Sequence, residues 1–145
     1  MDEVKMLREN TRRLEMYLDR INCSDCCCMG VNTSECFVLV EIGRKPGISG
    51  KELAGILGLD KSAISRIVEE LVKKKHVERK TSETDRRFVV LTLTKGGEAI
   101  FRKIEADMDE RFAAVLEKIP EKKRKTVIES LKIYCEAFEE ASDEA

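Results

Sequence analysis

A tight corner between two segments of helical periodicity is the feature that most constrains this chain. Gly58 and Leu59 interrupt the pattern, and Asp60 can cap the helix that follows. Ser49 can cap the segment before the corner, residues 50–57, while residues 61–75 form the segment after it. Their apolar residues recur on one face of each helix: Leu53, Ile56, Leu57, Ile64, Ile67, Val68, Leu71 and Val72. The sequence predicts two short amphipathic helices that meet at a sharp turn.

The periodicity then changes from helical to extended. Residues 77–80 and 87–93 are predicted to be strands, with residues 81–85 as the polar turn of a hairpin. Helix, tight corner, helix and β-hairpin in this order predict a winged helix-turn-helix. The fold class is therefore mainly α with a small β-hairpin.

Four further helices flank this module. Residues 2–21 are amphipathic, and a helix capped by Thr33 or Ser34 runs to about Gly43. Its inward-facing residues are expected to be Cys36, Phe37, Leu39 and Val40. Thr94 caps a long helix that Pro120 terminates, and a last helix covers residues 121–142.

The terminal helices carry more apolar surface than one small domain can cover, which predicts a homodimer. We expect a single domain, 1–145, in which residues 43–103 form the DNA-binding part. Residues 1–42 and 104–145 then supply dimerisation and effector-pocket helices. Two-fold symmetry would set two recognition helices roughly 34 Å apart. The alternative is a cap of helices within one subunit.

The charge is distributed unevenly along the chain. The net charge is −1, yet residues 43–103 hold 15 Lys and Arg against 8 Asp and Glu. A basic middle between acidic ends is expected if only the middle meets phosphate. The N-terminus has charged residues where a secretion signal would need an apolar stretch, and the apolar runs are too short to span a bilayer. We therefore expect a cytoplasmic protein without a membrane segment.

Candidate DNA-reading residues lie on the second helix of the corner, opposite its apolar face, and at the tip of the hairpin. Small and basic side chains suit close approach to a major groove, and hairpin arginines suit the narrow minor groove. These residues are Lys61, Ser62, Ser65, Arg66, Arg86 and Arg87. Each taken singly is more often a solvated surface residue, so their coincidence carries the prediction.

Four sequence runs together resemble the MarR family of bacterial and archaeal regulators. They are ELAGILGLDKSAISRIVEELV at 52–72, VER at 77–79, DRR at 85–87 and LTLTKGG at 91–97. The likeness covers residues 42–104. It implies a homodimeric transcriptional regulator, expected to be a repressor, that binds palindromic double-stranded DNA and releases it when an effector binds.

The resemblance also assigns roles to individual residues. Ser62, Ser65 and Arg66 fall on recognition-helix positions, Arg86 and Arg87 fall on the wing, and Asp85 would orient a wing arginine through an ion pair. The family often has Gly-Leu-Val where this chain has KHV at 75–77. We therefore expect a looser turn after the recognition helix.

Six cysteines are many for a reducing compartment, and five lie close together. The residues are Cys23, Cys26, Cys27, Cys28, Cys36 and Cys135. Clustered thiolates favour a soft metal, a metalloid or redox chemistry over structural disulfides. The spacing matches no paired zinc knuckle, and Cys36 and Cys135 suit a core equally well. The cluster is thus a candidate sensor, with no cofactor assigned.

Two other interpretations stay open. The effector could be a small aromatic or phenolic molecule, with the cysteines incidental, or the module could bind protein instead of DNA. Catalysis has little support, because the only histidine, His76, lies on the DNA-binding part and could not activate a thiol of the cluster. The chain is not expected to be an enzyme.

Overall fold

A computed structural model describes residues 2–23 and 30–144, with the backbone alone at residues 22 and 23. The chain divides into two compact units, residues 1–106 and 107–145. The elements in chain order are α1 (Glu3–Cys23), α2 (Thr33–Arg44), α3 (Gly50–Leu57), α4 (Lys61–Lys73), β1 (Val77–Thr81), β2 (Val89–Leu93), α5 (Lys95–Glu117) and α6 (Glu121–Asp143). No helix in the described ranges combines the length and apolarity that crossing a bilayer requires.

Side-chain caps fix the starts of α2, α3 and α4. Asn32, Ser49 and Asp60 each accept a hydrogen bond from the backbone N–H three residues later, at 2.8, 3.1 and 2.7 Å. Ser49 and Asp60 are the caps that the sequence predicts. For α2 the prediction of Thr33 or Ser34 is wrong, because Asn32 holds the extended conformation of a cap and Thr33 is already helical.

The core of the first unit is built from α2–α5, the hairpin and the segments that join them. Its apolar side chains are Val31, Cys36, Val38, Leu39, Ile42, Ile48, Leu53, Ile64, Val68, Leu71, Val77, Leu91, Ile100 and Ile104. In α4 the three buried residues recur once per turn, so that one face is anchored and the opposite face meets solvent.

The α2 face that points inward differs from the expected one. Phe37 was predicted to be buried but is 50% exposed, whereas the charged Glu35 is buried. Val38, Leu39 and Ile42 define the inward face, which rotates Phe37 outward. Ile56 of α3 is likewise 56% exposed against expectation, because the buried contact of that short helix is made by Leu53.

The hairpin is antiparallel and joined to the helices by a third segment. Leu91 pairs with Arg79 across the hairpin and forms a bridge with Ile48, which lies between α2 and α3. β2 begins at Val89 rather than at residue 87, because the Ser82 N–H donates to the carbonyl oxygen of residue 88 and closes a wider turn. The wing is thereby tied to the helix-turn-helix.

Two glycines permit close packing of α5 in the first unit. A Cβ on Gly97 would overlap the His76 carbonyl oxygen, and one on Gly43 would lie 2.6 Å from the Phe101 ring. The first turns of α5 therefore pack directly on α2 and on the turn that follows α4.

The turn after α4 is tight, contrary to the looser turn expected from the sequence. Lys75 adopts the left-handed conformation, with φ 64°. Its N–H donates to the Val72 carbonyl, and the His76 N–H donates to the Leu71 carbonyl at 2.9 Å. This is the hydrogen-bond pattern of a Schellman motif, in which glycine is the usual residue. The motif ends α4 at Lys73, two residues earlier than predicted.

The second unit contains the end of α5 and all of α6. No residue of α6 is buried. Its exposed large apolar side chains are Val127, Ile128, Leu131, Ile133 and Phe138. The Arg124 guanidinium donates to the carbonyl oxygen of Ile119, in the turn between α5 and α6, at 3.0 Å.

Candidate nucleic-acid interface

The exposed face of α4 carries all four predicted recognition residues. Lys61, Ser62, Ser65 and Arg66 are exposed, while Ile64, Val68 and Leu71 on the opposite face are buried. The Asp60 cap sets where the helix starts and therefore which residues occupy its first turn. The geometry leaves short hydroxyls and one long guanidinium on a single face, which can approach base edges.

A groove runs between the start of α4 and the hairpin. Its polar lining includes Lys51, Lys61, Ser65 and Arg79, and Phe88 forms part of its wall. The Asp60 carboxylate caps the positive end of the α4 dipole, so the positive charge of the groove comes from the three cations. Together they make an electropositive surface suited to phosphate.

Lys51 and Arg79 were not among the residues singled out from the sequence. Lys51 lies in the first turn of α3 and Arg79 lies in β1, so only the folded chain brings them to one groove. The surplus of basic residues within 43–103 was the available signal. It marks a region but not individual side chains.

The wing tip holds a bidentate ion pair between Asp85 and Arg87. The Arg87 Nε lies 3.0 Å from Oδ1 of Asp85, and Nη2 lies 2.8 Å from Oδ2. The Arg87 backbone N–H donates to Oδ1 as well. These bonds hold the pKa of Asp85 below its ordinary value, the side chain of Arg87 contributing most, and raise the pKa of Arg87. The pair restricts the Arg87 rotamer while its side chain stays 85% exposed.

Arg86 is exposed at the same turn. Within residues 2–23 and 30–144 its side chain makes no hydrogen bond or ion pair. The two wing arginines thus differ, Arg87 being held by Asp85 and Arg86 extending without a fixed partner.

Most of the predicted cysteine cluster lies outside the described residues. This applies to Cys26, Cys27, Cys28 and the side chain of Cys23. Cys36 is buried in α2, and Cys135 is exposed on α6. In the part of the chain that the structure describes, no group of three or more His, Cys, Asp or Glu is placed to hold a metal ion.

A helix-turn-helix followed by a two-stranded wing defines the winged-helix class of regulators. The fold and the basic face of α4 place this protein in that class. The chain belongs to the MarR family: the MarR family model matches residues 29–87. The HTH-type transcriptional regulator BilQ of Clostridium symbiosum is 34% identical over 96 residues, which cover 66% of this chain and 67% of BilQ. The chain is therefore a transcriptional regulator of this family, and the resemblance found in the sequence is confirmed.

Solved structures confirm the predicted fold class. A MarR transcriptional regulator from Methanosarcina mazei Go1 matches with a TM-score of 0.81 at 21% identity, covering 94% of this chain and 99% of that one. FabT of Streptococcus pneumoniae, solved in complex with DNA, matches with a TM-score of 0.79 at 20% identity over the same shares. At these identities the likeness establishes the fold alone.

Proposed function

We propose that the protein is a homodimeric repressor that reads double-stranded DNA with α4 in the major groove and the wing in the minor groove. The observation that carries this proposal is the division of α4 into a buried apolar face and an exposed face of Lys61, Ser62, Ser65 and Arg66. A helix anchored in this way can present one face to base edges without losing its place in the core.

Each residue has a specific role in the proposal. Ser62 and Ser65 permit close approach of the helix backbone, and the Arg66 guanidinium reaches a base edge. Lys61, at the positive end of the helix dipole, binds phosphate. Arg86 enters the narrow minor groove, and Arg87, held by Asp85, binds the adjoining backbone.

The proposed dimer is supported by apolar residues that the subunit leaves exposed. In α1 these include Val4, Leu7, Leu14 and Tyr17, and α6 presents a second such set. Long helices with uncovered apolar faces are typical of obligate partners. A two-fold dimer matches a palindromic operator, because each subunit reads one half-site.

A binding experiment with matched variants tests DNA recognition. Duplexes selected by the wild-type protein from a random library provide the probe, and fluorescence anisotropy gives the affinity at several salt concentrations. Arg66→Ala and Arg86→Ala should each weaken binding about tenfold to a hundredfold. Arg102→Ala, an exposed arginine of α5 outside α4 and the wing, should change it little.

Two results would reject this assignment. One is that both groove variants bind the selected duplex as wild type does. The other is that wild type selects no duplex and shows no fall in affinity with salt, which is the behaviour expected of a module that binds protein instead.

We further propose that thiols at Cys23, Cys26, Cys27 and Cys28 sense a soft metal, a metalloid or an oxidant. Their closeness in sequence supports this, because neighbouring thiolates bind soft ions and form disulfides readily. Oxidation by diamide would join two thiols as a disulfide, the two electrons and two protons passing to the diazene. The signal would alter the spacing of the paired recognition helices and hence DNA affinity.

Titration of the DNA complex with zinc, arsenite and diamide tests the sensor. Wild type should change affinity about fivefold or more with at least one of them. A variant with serine at the four positions should not respond, whereas Cys135→Ser should respond as wild type does. If wild type ignores all three but responds to phenol or benzoate, the effector is an aromatic molecule and the cysteines are incidental.

A further inference from the structure

An ion pair between the buried Glu35 carboxylate and the partly exposed Lys74 ammonium joins the end of α4 to the start of α2. The Lys74 Nζ lies 2.9 and 2.7 Å from the two carboxylate oxygens of Glu35, and it also donates to the Gly30 carbonyl oxygen at 2.9 Å. The Glu35 side chain is only 4% exposed. Within residues 2–21 and 30–144 it is the one charged residue that is buried.

Stability alone does not explain such a pair. Removing the Glu35 carboxylate from water is costly, and well-packed apolar residues in place of an ion pair in a protein interior are often as stable or more so. The pair instead fixes one relative placement of α2 and α4, because the buried Glu35 carboxylate has few other partners. A fixed placement of α4 is important for a helix that must align with the major groove of DNA.

The pair acts at the point where α4 turns toward the wing. Lys74 is the residue that follows α4, and the left-handed Lys75 comes next, two residues before β1. On the other side, Val31 is buried and Asn32 caps α2, so the backbone around Glu35 is itself anchored. The carboxylate therefore holds the Lys74 ammonium against a fixed part of the core.

We propose that Glu35 and Lys74 are positioning residues for DNA recognition, which set the orientation of α4 and of the wing that follows it. This inference rests on the proposed DNA-binding function. Neither residue needs to touch DNA in this role. A displaced α4 would keep its general attraction to phosphate but lose the alignment of Ser65 and Arg66 with base edges.

Direct binding of phosphate by Lys74 is the competing explanation, and the two predict opposite effects at Glu35. If Lys74 binds phosphate, Glu35→Gln removes a nearby negative charge and leaves affinity equal or higher. If Lys74 positions α4, Glu35→Gln breaks the pair and weakens specific binding. Loss of a phosphate contact would also lower the salt slope of binding by about 1, whereas loss of positioning would not.

The experiment measures affinity for a selected duplex and for a scrambled one, using Glu35→Gln, Lys74→Met and the full-length dimer. We expect both variants to weaken specific binding about tenfold, with little change in non-specific affinity or salt slope. Lys73 and Glu70 provide the matched control, being an adjacent exposed pair 3.4 Å apart in α4. Lys73→Met and Glu70→Gln should leave the ratio of specific to non-specific affinity unchanged.

A double variant separates positioning from a loss of folding. Glu35→Met with Lys74→Met replaces the pair by apolar side chains and should unfold near the wild-type temperature. If this folded variant still binds the selected duplex weakly, the result supports the positioning role. If its specific affinity equals that of wild type, the positioning role is overturned. Wild-type affinity in Glu35→Gln would overturn it as well, whereas a wild-type protein that selects no duplex would reject the proposed function itself.

Discussion

Helices α4 and α6 are both amphipathic, but among the described residues only the apolar face of α4 is covered. Helix α4, with 13 residues, buries Ile64, Val68 and Leu71 in the first unit. Helix α6, with 23 residues, buries none and leaves Ile128 and Leu131 about half exposed or more. Packing of its apolar face within the subunit fixes α4 in place, whereas the exposed apolar face of α6 is available to a second subunit in the proposed dimer.

The largest effect is expected from truncation inside the α4 face. Leu71 is fully buried, so Leu71→Ala should lower the free energy of unfolding by about 2–5 kcal/mol through lost burial and a residual cavity. Urea denaturation at a concentration that keeps the protein monomeric measures the change. Leu131→Ala is the matched control and should cost far less under these conditions. Equal losses would contradict the contrast between the two helices.

A charge placed on the α6 face should weaken assembly instead of folding. Leu131→Glu would require an unpaired carboxylate to be buried in the proposed dimer, and we expect the dissociation constant to rise at least about thirtyfold. Sedimentation velocity over a range of concentrations measures it, and circular dichroism checks that helicity is kept. Lys132→Glu, at a neighbouring residue that is 76% exposed, provides the control. A wild-type protein that sediments as a monomer would refute the dimer.

The sequence predicted the elements that depend on local chemistry. The caps at Ser49 and Asp60, the corner at Gly58 and the hairpin follow from short-range signals, and the structure shows all of them. Burial was predicted less well, because Phe37 and Glu35 exchange the places that hydrophobicity assigns them. The buried Glu35 carboxylate is paired with Lys74, 39 residues away. No local pattern records such a partner.

The candidate DNA site shows the same limit. Periodicity placed Lys61, Ser65 and Arg66 on the solvent face of α4, but it could not bring Arg79 of β1 to the same groove. Register and turn width decide which strand residues face α4. The turn proved wider than expected because hydrogen bonds within residues 82–88 displaced the start of β2. The roles of all these residues in DNA binding stay predictions.

A smaller effect, of opposite sign to the truncation, is expected at the end of α4. Lys75 holds φ at 64°, where a side chain is strained, so Lys75→Gly should raise the free energy of unfolding by about 1 kcal/mol. Lys73→Gly, inside the last turn of the helix, should lower it by about 0.5–1 kcal/mol. Thermal and urea unfolding of both variants give the two signs. Destabilisation by both would show that the Lys75 side chain contributes more than its backbone strain costs.

The smallest effect is expected at the wing tip, where low pH should break the Asp85–Arg87 ion pair. The pKa of Asp85 is lower in the folded chain than in the unfolded chain because Arg87 pairs with the carboxylate. The pair is therefore intact above the ordinary carboxyl pKa and is lost only as pH falls through the lower folded value, so the wing should not change between about pH 5 and 8 and should loosen only at a pH below the ordinary carboxyl value. NMR titration of the Asp85 carboxyl carbon and the Arg87 Nε follows the transition. Arg87→Ala should move the Asp85 midpoint upward. An unchanged midpoint in that variant would mean that the ion pair does not hold the wing arginine in solution.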